Sequence, residues 1–459
     1  MADVFPFAGT RYQLKEGKQQ DLGSLFCPPF DIITPDLRKR LHEASDLNLV
    51  RLIAGFDAPS DDEQNNRFSR AAECYRDWKN KQTLQDEQRK CFYVYEQEYK
   101  LPGMRKPVKR TGFISLVKLQ DYRSGKIRAH EETLRTLRNE QLRLLKSVQV
   151  NLTPPFMLYK DPENEVTKIL TEAIEGKGRD SNGPAVEAKD IDGTTHRLWL
   201  IHRKEPILAV HEALKPKRLY IADGHHIYDA ALAYRDEMRE ATGRRDGRQP
   251  YDHMMMYLHN ADDDKLTLLP VHRILARELG ADVEIEEVLE DVREYFTAKE
   301  FKLDMDNLKK AAATIQEKFD AATDERPRFA MVLPTGRSFL LTLRKDADVH
   351  EMIEEETMSE ELKSLDVTIL HNYLITRGWI GNPEVELGED DIYYRRDSEE
   401  ALDLLKRRRG SVAFIVQPRK LSEVLTIAEN GELMPPYSTF FTPKLGCGLV
   451  MRDLQVGFG

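Results

Sequence analysis

Within Leu219–Glu237, LYIADGHHIYDAALAYRDE, four consecutive residues could do chemistry: Asp223, Gly224, His225 and His226. A carboxylate accepts a proton or binds a cation, and an imidazole donates hydrogen bonds, shuttles protons or ligates a metal. Glycine lets the chain turn sharply and a ligand come close. The apolar LYIA ahead of them predicts a buried strand, and the alanine-rich stretch behind predicts a helix. Asp223 then stands at the carboxyl end of the strand, with His225 and His226 in the first helical turn. Backbone N–H groups and the positive end of the helix dipole point into the same space, which favours phosphate or another anion. A capping Asp beside two surface histidines is the plain alternative; four polar-site residues in a row after an apolar strand favour a site.

Other segments hold candidates. AHEE at 129–132 places a histidine beside Glu131 and Glu132, which reads equally as a solvated turn or as a general base. PVHR at 270–273 could place His272 and Arg273 at the mouth of a site, or leave them at a strand end. CPPFD at 27–31 is a stiff loop in which Asp31 either forms a turn or meets a ligand. STFFTPKLGCG combines hydroxyls, Lys444 and glycines, as a phosphate-contacting loop or an ordinary closing strand would. Asp223, His225, His226, Glu131, His272 and Lys444 are expected to share one concave site.

The elements that must carry these residues follow from periodicity. Thr34 and Pro35 open a helix with Leu37 and Leu41 on one face, and a second helix is expected over DDEQNNRFSRAAECYRDWKNKQ. CFYVYEQEYKL and RTGFISLVKLQDY read as the strands of a hairpin. EQLRLLKSVQVN is helical, PFMLYKD a strand, EGKGRDSNGPAVEAKD a loop and GTTHRLWLIH a strand. HMMMYLHNADDDKLTLLPVHRIL resumes strand character, DVEIEEVLEDVREYFTAKEF is expected to be helical, and RFAMVLPTGRSFLLTL returns to strand. VTILHNYLITRG is helical, and GSVAFIVQPRKLSEVLTIAENGELMPP reads strand then helix. This is a mixed α/β (α+β) pattern. With 459 residues, more than one core is expected: 1–95 an N-terminal mixed segment, 96–280 a core domain with AHEE and ADGHH, and 281–459 a C-terminal α/β domain.

A formal charge of −10 with no basic helix argues against a nucleic-acid binder. No run of about 18 apolar residues occurs, so no membrane partner is expected. MADVFPFAGT lacks the pattern of a secretory signal. The four cysteines, Cys27, Cys74, Cys91 and Cys447, form no CxxC pair, which favours a reducing, cytoplasmic location over a zinc site or disulfide framework. No feature specifies the oligomeric state.

ADGHHIYDAA resembles the ADGHHRYEAA hallmark of a large, mostly uncharacterised bacterial family of unknown function. CPPFDII, NLVRLI, RTGFISLVKLQDYRSGKIRAHEETL, LRLLKSVQVNLTPPFMLY, LPVHRIL, LDVTILHNYL and MPPYSTFFTPKLGCGLVMRDL resemble further family segments in the same order, so the likeness covers nearly the whole chain. The DGHH turn also resembles the nucleotide-binding turn of the ParB/sulfiredoxin-like fold, in which free-serine kinases carry DGHTR and sulfiredoxin GCHR. That resemblance implies a ParB/sulfiredoxin-like nucleotide-binding core with additional helical and mixed α/β lobes. It implies an upstream glutamate base, for which AHEETL offers Glu131 first and Glu132 second.

Two cationic positions depart from the pattern. Ile227 stands where these relatives have arginine, and Pro436-Tyr437 where the family more often has Gln-Lys. Arginine grips phosphate with a fixed fork that isoleucine lacks. Arg273, Arg143, Lys146 and Lys444 are the substitutes within the chain. The expectation is a nucleotide-dependent phosphotransferase acting on a small hydroxylated metabolite, serine first. It would use ATP or ADP with Mg²⁺: Glu131, His225 and Asp223 in catalysis, Gly224, His226, His272, Arg273 and Lys444 on the cofactor, and Asp223 on the metal. A non-catalytic nucleotide-binding or regulatory protein is the alternative. A metal-dependent hydrolase using His225, His226 and Asp223 ranks third, because adjacent helical side chains diverge by about 100°.

Overall fold

A computed structural model describes residues 3–13, 22–101, 106–176, 183–276, 285–378 and 391–455. The fold is mixed α/β, and the chain divides into two compact units. Unit 1 comprises 1–129, 133–267 and 443–459; unit 2 comprises 130–132 and 268–442.

Among the described residues, unit 1 is built on a nine-stranded sheet. Its strands are β1 (Val4–Phe5), β2 (Phe92–Tyr99), β3 (Val108–Lys118), β4 (Ile127–Arg128), β5 (Phe156–Tyr159), β6 (Val186–Lys189), β7 (Thr195–Ile201), β8 (Leu219–Asp223) and β9 (His253–Asn260). Their spatial order is β4-β8-β5-β9-β3-β2-β7-β6, with β1 beside β3. β2 and β3 form the expected antiparallel hairpin, with Tyr95 opposite Gly112. β8 runs parallel to β4 and antiparallel to β5, and its register slips between Ile221 and Asp223, at the carboxyl end of the strand. Leu219 to Ala222 are all buried, as an apolar run flanked by strands on both sides requires.

Helices α1 (Pro35–Ala44), α2 (Arg67–Asn80), α3 (Arg135–Val148), α4 (Glu165–Glu175), α5 (Lys204–Leu214) and α6 (His225–Thr242) belong to this unit. Thr34 caps α1 through Leu37 N–H, as expected, and Asn66 caps α2 through the N–H groups of Phe68 and Ser69. The second helix therefore starts at Arg67 rather than in the acidic DDEQNN, where side-chain oxygens compete for the backbone. EGKGRDSNGPAVEAKD was expected to be loop throughout; residues 177–182 lie outside the described residues, and Val186–Lys189 is a strand paired with β7. Its Val186 and Ala188 are buried and Glu187 and Lys189 exposed, an alternation that four residues are too few to announce.

Unit 2 has a six-stranded sheet among its described residues. Its strands are β10 (His272–Leu275), β11 (Phe296–Lys302), β12 (Arg328–Val332), β13 (Arg337–Leu343), β14 (Ile392–Arg395) and β15 (Val412–Ile415). The order is β11-β13-β12-β15-β10-β14. The helix expected over DVEIEEVLEDVREYFTAKEF is described from Ile285 and ends at Val292; its first residues, 282–284, lie outside the described residues. FTAKEFK is instead β11, held antiparallel to β13 along its full length. Cross-strand pairing overrides the helical composition there. No helix among the described residues is long and apolar enough to cross a membrane.

Candidate functional site

Asp223, Gly224, His225, His226 and Lys444 all belong to unit 1, whereas Glu131, His272 and Arg273 belong to unit 2. In unit 1, β8 ends at Asp223 and α6 starts at His225, with Gly224 between them at φ 86° and ψ 29°. An L-residue pays roughly 1–2 kcal/mol in this left-handed region. A Cβ on Gly224 would also stand 3.1 Å from Pro155 Cα and 3.3 Å from Pro155 Cβ. Glycine thus answers both needs, and α6 begins with no side-chain cap. The Ile227 and Tyr228 N–H groups both donate to the Gly224 carbonyl at 3.0 Å, and the positive end of the α6 dipole lies at this turn, a place that favours anions. Gly224→Ala is expected to lower stability by about 1–3 kcal/mol, from the strained dihedral and the Pro155 contact together, measured by chemical denaturation. Unchanged stability would show that the turn relaxes freely.

Lys444 supplies the cation of this turn. Its Nζ donates to Asp223 Oδ1 at 2.8 Å and to Asp31 Oδ2 at 3.2 Å. The lysine side chain is 7% exposed, against 23% for Asp223 and 20% for Asp31. Burial pushes the Asp223 carboxyl above the usual carboxylate range, against the pull of Lys444 and with help from Asp31. Burial alone would lower the Lys444 ammonium, but Asp223 and Asp31 outweigh it and hold it above its ordinary value. One ammonium between two carboxylates keeps the lysine charged.

The histidines divide the work. His225 is buried at 5% exposure in the first turn of α6. His226 Nε2 accepts the Leu134 N–H at 2.9 Å, where α3 begins without a cap of its own. The neutral ring therefore carries its proton on Nδ1, and Nε2 is committed to the backbone. One turn further along α6, Asp229 accepts from the Tyr122 and Thr133 hydroxyls at 2.5 and 2.8 Å. His226 and Asp229 thus clamp the chain at Thr133–Leu134. The sequence reading does not include Asp229; the i,i+3 spacing of His226 and Asp229 was the available signal.

Ile227 is half-buried against the apolar core of unit 1 and borders a small cavity with Leu144, Leu145, Leu152 and Met254. Of the proposed substitutes for an arginine here, Lys146 pairs with Glu237 at 2.5 Å and Arg143 lies over the Phe68 ring at 4.6 Å. Lys444 is the one engaged at the turn.

In unit 2, the Glu131 carboxylate accepts from the N–H groups of Tyr437, Ser438 and Thr439 at 2.9, 3.1 and 3.2 Å, and from the Thr439 hydroxyl at 3.3 Å. Three successive N–H groups form an anion-binding concavity, and Glu131 occupies it. Glu132 is exposed, and partial desolvation raises its carboxyl pKa. His272 is a core residue of β10, 1% exposed. Its Nδ1 accepts the Val416 N–H at 3.2 Å and its Nε2 meets the Ser398 hydroxyl at 3.0 Å. Burial, with Arg273 adding, lowers its pKa to about 3, so it is neutral. Arg273 is equally buried and donates to the Tyr437 and Val271 carbonyls. Read as lying either at the mouth of a site or at a strand end on the surface, His272 and Arg273 are both buried in β10.

Asp223 and Asp31 could serve Mg²⁺. Among the described residues no group of three or more His, Cys, Asp or Glu is arranged to hold a metal ion. Two carboxylates nonetheless match what Mg²⁺ takes when phosphate oxygens and water complete its shell. The residues therefore fit a nucleotide-borne Mg²⁺.

Among solved structures, the chain is similar to a free serine kinase in complex with AMP, at 14% identity and a TM-score of 0.33, covering 75% of this chain and 92% of that one. A conserved hypothetical protein from Pyrococcus furiosus is similar at 12% identity and a TM-score of 0.34, covering 74% and 96%. SbnI from Staphylococcus aureus, with a C-terminal truncation, is similar at 10% identity and a TM-score of 0.34, covering 75% and 87%. No curated protein matches the sequence. A family model matches residues 4–368, four-fifths of the sequence, and the chain belongs to that family, described as "Protein of unknown function (DUF1015)".

Proposed function

We propose that the protein binds ATP or ADP at the Asp223–His226 turn and acts as a nucleotide-dependent phosphotransferase on a small hydroxylated metabolite, with serine the leading substrate. The observation that supports this reading is the strand–glycine–helix turn with a buried ammonium, Lys444, against the acid that precedes the glycine. Gly224 lets phosphate approach the backbone, and the positive end of the α6 dipole favours it there. Lys444 offsets phosphate charge as a point cation, in place of the arginine that Ile227 replaces. Mg²⁺, when bound, neutralises charge between phosphate oxygens; Asp223, with Asp31, would hold it. The ParB/sulfiredoxin-like core remains part of this proposal, carried by the likeness of the DGHH turn to DGHTR.

The hydroxyl proton needs a base. Glu131, the motif's first candidate, has both oxygens engaged by Tyr437–Thr439. Glu132 is the motif's second candidate. The engaged Glu131 and the apolar Ile227 also favour a second reading, a nucleotide-binding module without turnover. The hydrolase reading loses support, because His226 Nε2 is spent on Leu134 N–H.

Calorimetric titration with ATP and ADP, with and without Mg²⁺, tests binding; ³¹P NMR with serine tests transfer. Binding with transfer supports the kinase, and binding without transfer the second reading. A wild-type protein that binds neither nucleotide sinks both. Ile227→Arg is expected to tighten nucleotide binding by about 1–2 kcal/mol through a charge-assisted fork. The same change should lower stability by roughly 1 kcal/mol, because Ile227 packs on the apolar core. Unchanged affinity would mean that Lys444 already satisfies the phosphate.

A further inference from the structure

The segment Pro443–Gly446, which carries Lys444, has no regular secondary structure, yet its backbone is gripped by side chains from two strands of the unit 1 sheet. Arg110 on β3 donates to the Pro443 carbonyl at 2.5 Å, and Gln97 on β2 donates to the Lys444 carbonyl at 2.8 Å. Arg110 also donates to the Gln97 side-chain oxygen, which orients the amide. The Gly446 N–H donates to the Tyr95 hydroxyl at 3.0 Å. The hydroxyl in turn meets His196 Nδ1 at 2.6 Å, and His196 Nε2 meets Asp190 Oδ2 at 2.9 Å. Asp190 accepts only, so Nε2 bears the proton, Nδ1 accepts from Tyr95, and the Tyr95 oxygen accepts from Gly446. A Cβ on Gly446 would lie 3.1 Å from the His196 ring, so this approach needs glycine. Tyr95, Gln97, Arg110 and His196 are all within 1% of full burial. Such polar groups are costly inside a core unless every partner is in place.

We infer that Tyr95, Gln97, Arg110 and the His196–Asp190 pair are positioning residues that place Lys444 against Asp31 and Asp223. They act through the backbone of Pro443–Gly446 and touch no phosphate themselves. A side chain with four rotatable bonds gains a fixed ammonium position only when its own backbone is fixed. A core that merely needed filling would use apolar residues at these places.

Two measurements test this, of which the second rests on the nucleotide reading. In the first, NMR observes lysine ammonium groups in ¹⁵N-lysine-labelled protein. Lys444→Met identifies the Lys444 signal by its loss. Tyr95→Phe, which deletes one oxygen, is expected to shift or broaden that signal and to leave unmoved the signal of Lys217, paired with Asp161 at 3.1 Å. Should Tyr95→Phe fail to fold, Asp190→Asn removes the far end of the chain at a side chain 26% exposed and is expected to move the same signal. In the second, Tyr95→Phe is expected to weaken Mg²⁺–ADP binding about five-fold, the size of one hydrogen bond. That loss is expected to vanish when Lys444 is already methionine. An unmoved Lys444 signal in the folded variant, or an equal loss of affinity in the Lys444→Met background, overturns the inference. If the wild type binds no nucleotide, the proposed function falls, and the ammonium signal alone decides the positioning role.

Discussion

Lys444→Met is expected to lower stability by about 2–4 kcal/mol near neutral pH, because it strands two mostly buried carboxylates. The lysine pairs with both acids, at 2.8 Å from Asp223 and 3.2 Å from Asp31. The pH dependence follows from the Asp223 carboxyl. Burial already raises its folded pKa above the usual carboxylate range, and Lys444 is the chief influence holding it down. Removing the lysine raises it further. An acid with a raised folded pKa binds more protons folded than unfolded, so stability falls as pH climbs through that interval. The deficit of the variant is therefore greatest above the new folded pKa and shrinks as pH falls towards the ordinary carboxylate range. Urea denaturation at about pH 7.5 and about pH 4.5 measures both values. A variant as stable as the wild type at the higher pH would refute the pairing. Adding Asp31→Asn to Lys444→Met is expected to recover part of the loss, since one of the two like charges is gone.

Arg419→Met should be at least as damaging, by about 3–5 kcal/mol, in unit 2. Arg419 is hydrogen-bonded to Asp366 in an ion pair whose side chains are 10% and 8% exposed. Asp366 Oδ1 has no hydrogen-bond partner among the described residues, so the arginine is its main compensation. Burial raises the Asp366 carboxyl, with Arg419 and then Arg273 opposing. Removing Arg419 adds to the rise, so this deficit too is largest at neutral pH and diminishes towards acid. The two variants separate by location. Loss of Lys444 should weaken nucleotide binding as well as stability, whereas loss of Arg419 should leave affinity unchanged in the protein that remains folded. Nucleotide titration of both variants checks this, and equal losses of affinity would remove the distinction between the two pairs.

Local patterns carried most of the elements because they are local physics. LYIA is apolar without interruption, and such a run becomes a strand with neighbours on both sides, as β8 does. Thr34 before Pro35 starts α1 because the hydroxyl meets a first-turn N–H, a bond made within four residues. Gly224 between a strand and a helix reads as a positive-φ turn, which it is. FTAKEFK failed as a helix because its strand state depends on β13, some forty residues later, and no local pattern contains that partner.

For the candidate site, the sequence by itself determined the turn: an acid, a glycine and two histidines where a strand becomes a helix. Only the tertiary structure decided what each side chain meets. Lys444 reaches Asp223 across more than two hundred residues of sequence, and Gln97, Tyr95 and Arg110 hold its backbone from other strands. His226 turns to Leu134, Glu131 to the N–H groups of Tyr437–Thr439, and His272 into its own sheet. The reason is physical. Strand and turn preferences arise between neighbours along the chain, whereas ion pairs and hydrogen bonds require approach within about 3 Å, and that approach is set by how distant segments pack.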